Sequence, residues 1–189
     1  MTSADAAPTR KIVANFFIAL DGVVEAPDQW QFQYFDDEMG KAVQDGFASS
    51  DCLLMGAILY REWSQFWPAS DHPLAEVMNS TPKYVVSDSL EQLDWQNSHL
   101  IKGDEAAERL RELKAQPGKN IALSGSATLV RWLLREGLLD ELNLLVHPIA
   151  VGSGQRLFDE TTPLQKLELV SSTTFTTGVL HLVYRPASD

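Results

Sequence analysis

Four short apolar runs, separated by stretches of helical spacing, constrain this chain more than any other feature. Residues 11–20 read KIVANFFIAL, 52–55 CLLM, 83–87 KYVVS and 120–124 NIALS. A strand with one wet face alternates apolar and polar residues, whereas a strand buried on both faces does not. The runs therefore predict strands inside a parallel sheet. The stretches at about 36–48, 57–66 and 104–115 read as helices. In DEAAERLRELKA, for example, Ala107, Leu110 and Leu113 share one face opposite the charges. Strands alternating with helices predict an α/β fold whose sheet is mostly parallel, with helices on both faces.

The end of the chain changes character. A further strand is expected in ELNLLVHPIAVG (141–152). Beyond it, KLELVSSTTF and GVLHLVYR flank Thr177-Gly178, and in the second segment Leu180, Leu182 and Tyr184 alternate with His181, Val183 and Arg185. That pattern predicts a C-terminal antiparallel hairpin. The sequence holds no internal repeat and no linker, so its 189 residues suit one core. Residues 1–10 are expected to form a disordered tail, and residues 11–189 a single domain.

Charge narrows the partners. The net charge is −11 and no basic run occurs, which argues against nucleic acid. No apolar stretch reaches the roughly 18 residues that span a membrane, and the N-terminus MTSADAAPTR lacks the apolar segment of a secretory signal. The single cysteine, Cys52, lies in an apolar run and fits a buried thiol in a reducing cytoplasm. The four histidines show no metal-ligand spacing, so no metal site is expected.

The stretch ALSGSATLVRWLLREGLLDEL (122–142) raises the functional question. An apolar run breaks at Ser124-Gly125-Ser126, and a helix with stripes at Leu129/Leu133 and Val130/Leu134 starts at once, with Gly137 as the residue that ends it. Ser-Gly at a helix start is often only a cap. At the carboxyl edge of a parallel sheet it also offers free N–H groups and a partial positive charge to an anion. Both readings stand on the residues alone.

The downstream stretch resembles the reductase domain of bacterial riboflavin biosynthesis and its stand-alone relatives, within the dihydrofolate-reductase-like superfamily. The resemblance is carried by Gly125-Ser126, Gly137-Leu138-Leu139-Asp140-Glu141, Pro148, Gly152-Ser153-Gly154 and Leu157-Phe158, with ALDG (19–22) and LLMGAILY (53–60) upstream. It implies a three-layer dihydrofolate-reductase-like fold and a reductase of that kind, which uses NADPH, or NADH, to reduce a small planar or ribityl-type acceptor. It also implies a homodimer. By position, Gly125, Ser126, Ala127 and Thr128 would hold the cofactor pyrophosphate. Gly56 and Tyr60 would lie near the adenosine and Ser87 near its ribose. Ala19 and Asp21 would lie near the nicotinamide or the acceptor, with Asp21 counted as catalytic, and Gly152 and Ser153 would close the site. Many relatives carry Gly-Arg-x-Thr-Tyr where this chain has Gly56-Ala57-Ile58-Leu59-Tyr60, and Asp88 follows Ser87. The arginine that meets a 2′-phosphate is missing and a carboxylate stands nearby, so the expected preference for NADPH over NADH is weak.

Two further groups have two readings each. Trp30, Phe32 and Tyr34 could wall a planar acceptor or simply anchor a loop over the core. Asp36, Asp37 and Glu38 suit a helix N-terminus, and one of them, Asp37, is the candidate proton donor for hydride transfer to a C=N bond. The sequence thus supports a reductase. The alternative is a non-catalytic nucleotide- or ligand-binding module that kept the fold.

Overall fold

A computed structural model describes residues 10–187. Eight strands form one sheet: β1 (Ile12–Ala19), β2 (Ser50–Gly56), β3 (Lys83–Val86), β4 (Ser98–Ile101), β5 (Asn120–Ser124), β6 (Glu141–His147), β7 (Leu167–Thr174) and β8 (Leu180–Pro186). Their spatial order is β4-β3-β2-β5-β1-β6-β8-β7. The six strands from β4 to β6 are mutually parallel, and β8 runs antiparallel to both β6 and β7. The expected hairpin is therefore β7–β8, attached beside β6. β4 is an addition to the expected strands: its four residues, SHLI, pair with β3 at the sheet edge and have no apolar run of their own.

The helices are α1 (Asp37–Ala48), α2 (Ala57–Phe66), α3 (Ala75–Ser80), α4 (Ala106–Ala115) and α5 (Ala127–Arg135). Alternation along the strands sorts them into two layers. On one face, Phe17 and Leu145 pack with Met39 of α1, while Leu53, Met55 and Val85 pack with Tyr60 of α2 and Met78 of α3. On the other, Ile12, Ala14, Phe16, Ile121 and Leu123 pack with Leu110 of α4 and Leu133 of α5. This second cluster is the larger core, and the central strands β1 and β5 are buried on both sides, as their unbroken apolar runs required.

The Gly-Leu-Leu-Asp-Glu stretch is explained by the way it fastens the sheet. Gly137 (φ 63°) ends α5 in a left-handed turn, and the Leu138 N–H donates back to the Leu133 carbonyl at 2.8 Å. Asp140 then accepts from the Ile12 N–H at 2.8 Å and pairs with Lys114 at 2.6 Å, locking the start of β1 to α4. Residues 1–9 of the expected tail lie outside the described residues. Arg10, the last residue of that segment, is already packed: it is 7% exposed and hydrogen-bonds to Asp51, Cys52 and Lys119.

Candidate functional site

The carboxyl ends of β1, β2, β3, β5 and β6 lie along one edge, and the expected site residues gather there. Ser124 ends β5 and Ala127 opens α5. Gly125 and Ser126 between them both take the left-handed conformation, at φ 70° and φ 58°. Ser126 occupies the N-cap position but does not cap: its side chain bonds to no N–H of its own helix. Instead its Oγ accepts from the Gly56 N–H at 3.0 Å, tying the start of α5 to the start of α2. The N–H groups of Ala127, Thr128 and Leu129 consequently have no hydrogen-bond acceptor among the described residues. A helix N-terminus left in this state carries partial positive charge and free donors, which is what an anionic oxygen needs.

Other expected residues fall differently. Ala19 is buried, and its backbone is consumed by a turn with Gly22 and Val23. Tyr60 corrects its expected cofactor role: it is 4% exposed in the core, and its hydroxyl accepts from the Trp95 N–H at 3.0 Å. Ser87 is buried, and its Oγ accepts from the Ser89 and Leu90 N–H groups at 3.1 Å each. Beside it, Arg61 donates to the Ser89 Oγ at 3.0 Å, so α2 brings a cation to this loop although Ala57 does not. Asp88 is turned to the next loop, where it accepts from the Gly103 N–H at 2.8 Å.

Asp21 also departs from expectation. Its Oδ2 accepts from the Gly152 N–H at 2.7 Å, and that bond holds the carboxyl below the usual carboxylate range. Such a group stays ionised and does not suit a proton donor. Its observed work is to fasten the loop after β6 to the loop after β1. Glu25 assists by accepting from the Gln155 N–H at 2.6 Å, as does a bridge between Val23 and Arg156. Gly152 (φ 88°) is shaped for this contact, whereas Ser153 stays exposed. Asp37 is exposed in the first turn of α1. Its neighbour Asp36 caps the helix through the Met39 N–H at 2.9 Å, and Glu38 accepts from the Thr176 N–H at 2.7 Å.

The aromatic segment divides. Trp30 and Tyr34 pack edge-on against His147, with ring centroids at 5.1 Å and 5.7 Å, whereas Phe32 and Phe35 are 64% and 46% exposed. His147 is fully buried at the end of β6, and its Nδ1–H donates to the Leu145 carbonyl at 2.8 Å; burial pushes its pKa down, so it is neutral. Its Nε2 has no hydrogen-bond partner among the described residues.

Two cations escaped the sequence reading. Arg131, one turn into α5, donates to the Thr128 Oγ1 at 3.3 Å and to the carbonyls of Arg156 and Leu157, and it pairs with Asp159. Arg156 donates to the Asp21 carbonyl at 3.0 Å. Their positions i+3 from Thr128 and just after Gly-Ser-Gly were visible, but only folding brings them to the same edge.

Among known proteins, the family model for the RibD C-terminal domain matches residues 10–181. The chain belongs to that family, and its fold is dihydrofolate-reductase-like. It is 31% identical over 181 residues to the uncharacterized protein YyaP of Bacillus subtilis (strain 168), covering 93% of this chain and 94% of that one. Solved structures share the fold at lower identity. A candidate riboflavin biosynthesis protein from Shewanella sp. PV-4 superposes with TM-score 0.77 at 19% identity, covering 94% and 99% of the two chains. A diaminohydroxyphosphoribosylaminopyrimidine deaminase/5-amino-6-(5-phosphoribosylamino)uracil reductase from Thermotoga maritima gives 0.66 at 13%, covering 95% of this chain and 57% of its own. Dihydrofolate reductase from Enterococcus faecalis, complexed with NADP(H), gives 0.63 at 13%, covering 94% and 97%.

Proposed function

We propose that this protein is a reductase that binds NADPH, or NADH, across the carboxyl edge of its sheet and reduces a small planar acceptor. The observation that carries the reading is the start of α5. Ser126 spends its hydroxyl on Gly56 rather than on its own helix, so the N–H groups of residues 127–129 remain available to a pyrophosphate. Gly125 at φ 70° makes the left-handed turn that presents these N–H groups. Arg156 adds positive charge at the same edge, whereas Arg131 is paired with Asp159. The residues present therefore fit a dinucleotide. Ala127 and Thr128 would border its phosphates, Gly56 and Ser87 its adenosine half, and the Gly152-Ser153 loop would close the site.

A bound reduced nicotinamide supplies the hydride; the chain supplies position. The Asp21–Gly152 contact holds the two loops that border the nicotinamide end, and the Trp30–Tyr34 segment covers His147 beside them. With Asp21 held ionised, Asp37 is the remaining candidate proton donor. The family and its reductase relatives support this reading over a binding module without activity. We also place the protein in the cytoplasm. Cys52 is unpaired, and burial pushes its thiol up to about 11, so it stays a protonated, unreactive group.

The test is titration with NADPH and NADH while following tryptophan fluorescence. Saturable quenching by at least one dinucleotide is expected in the wild type. Gly125→Ala adds about 1 kcal/mol of left-handed backbone strain to the turn that presents those N–H groups, with its methyl 3.6 Å from Leu59. Its affinity should fall about tenfold with its circular dichroism unchanged. Binding that ignores this substitution would remove the pyrophosphate from α5, and the absence of binding by either dinucleotide would leave only the non-catalytic module.

A further inference from the structure

At the start of α2, Ala57 leaves the edge without a cation, and Asp88 adds a carboxylate to the loop after β3. The folded chain answers both changes at that loop. Asp88 is pinned away from it: Oδ1 accepts from the Gly103 N–H at 2.8 Å. A Cβ at position 103 would stand 2.6 Å from Oδ2, so only glycine there lets the carboxylate lie against the β4 side. Arg61 supplies the cation. It is four residues beyond Ala57, one turn along α2, and its Nη2 donates to the Ser89 Oγ at 3.0 Å. That bond sets the guanidinium against the loop.

The loop has donors to spare. A guanidinium carries five N–H groups, and among the described residues the bond to Ser89 alone engages those of Arg61. Arg61 forms no ion pair among those residues, and both it and Ser89 are exposed. The backbone adds a third donor. Ser87 Oγ takes the N–H groups of Ser89 and Leu90, whereas the Asp88 N–H has no acceptor among the described residues. Lys102 braces the turn from behind, its Nζ donating to the Leu90 carbonyl at 2.8 Å. A guanidinium fork, a hydroxyl and a backbone N–H together suit a phosphate monoester. The other arginines named at this edge are committed elsewhere: Arg131 pairs with Asp159, and Arg156 donates to the Asp21 carbonyl after β1.

We infer, resting on the reductase reading above, that Arg61 and Ser89 receive the 2′-phosphate and carry this chain's discrimination of NADPH from NADH. Ser87 shapes the turn on which they meet. One guanidinium answers part of the charge of a phosphate dianion, so the preference is about tenfold, the worth of one charge-assisted hydrogen bond. A second cation at position 57 would add to it.

Calorimetric titration of the whole chain with two matched pairs tests this: NADPH against NADH, and adenosine 2′,5′-bisphosphate against adenosine 5′-monophosphate. In each pair the member with the 2′-phosphate should bind about tenfold more tightly. Arg61→Met, at an exposed position, should abolish the difference by weakening NADPH and leaving NADH unchanged. Arg61→Lys should keep part of the difference, and Ser89→Ala should reduce it several-fold. Gly125→Ala, by contrast, should weaken both dinucleotides alike. Equal binding of NADPH and NADH by the wild type overturns the inference. So does an Arg61→Met protein that keeps the preference or that loses both dinucleotides equally. If neither dinucleotide binds while the bisphosphate is still preferred through Arg61, the reductase reading falls and the 2′-phosphate subsite stands; if no probe binds, both fall.

Discussion

Lys83 illustrates how far a single residue can diverge from its usual surroundings. It opens β3 with a fully buried side chain, donates to the Asn79 and Thr81 carbonyls, and lies 4.2 Å from the centre of the Trp95 ring. Burial pushes its pKa down from 10.5 to about 8. The unfolded chain therefore binds more protons than the folded one between those values, and stability rises with pH across that window. Below it, the desolvation cost persists in full. Thermal melts between pH 7 and 10 should show the wild type gaining about 1–3 kcal/mol relative to Lys83→Met; parallel curves for the two proteins would mean that the carbonyls and the indole hold the charge without penalty. Nothing in KYVV announces a buried ammonium, because its partners come from α3 and from the segment holding Trp95, which are fixed only by packing. The same limit applies to Asp21 and Tyr60. Their positions near the edge were legible, but whether each faces a ligand or a neighbouring backbone N–H was not.

At the scale of elements, α2 and α5 share a single device. The Ser126–Gly56 bond joins their first turns, so both N-termini open on one edge of the sheet. Ala57 is the first residue of α2, where the family resemblance led us to expect arginine, and Arg61 one turn later reaches Ser89. Ala57→Arg should add a charge-assisted contact to a 2′-phosphate, worth roughly 1.5–3 kcal/mol, and so raise the NADPH-over-NADH binding ratio by about tenfold or more. Paired dinucleotide titrations read this directly. An unchanged ratio would mean that Arg61 already holds the phosphate. The strongly periodic α5 and the continuous strands were legible because a local pattern encodes them. β4 and α3 were not: four and six residues long, they are stabilised by the neighbours they meet rather than by their own spacing.

At the scale of the whole molecule, β7 is the free edge of the sheet beyond β8, and Leu169 and Val170 on it are 50% and 55% exposed. Unpaired strand edges with apolar side chains associate readily. A two-fold homodimer through this end is expected, with Leu169→Lys shifting it toward monomer; light scattering at micromolar concentration should give twice the 21.0 kDa chain mass for the wild type alone. A monomeric wild type would reject this assembly. The sequence by itself determined the α/β class, the central buried strands, the hairpin and the helix start at residues 125–127, since periodicity and glycine placement act over a few residues and survive in any context. Only the tertiary structure decided that Ser126 leaves its helix uncapped, that Arg131 and Arg156 reach the same edge, and that Asp21 fastens a loop. Those outcomes depend on which distant N–H groups and carboxylates the folded sheet brings within 3 Å of one another, and no local pattern carries that distance.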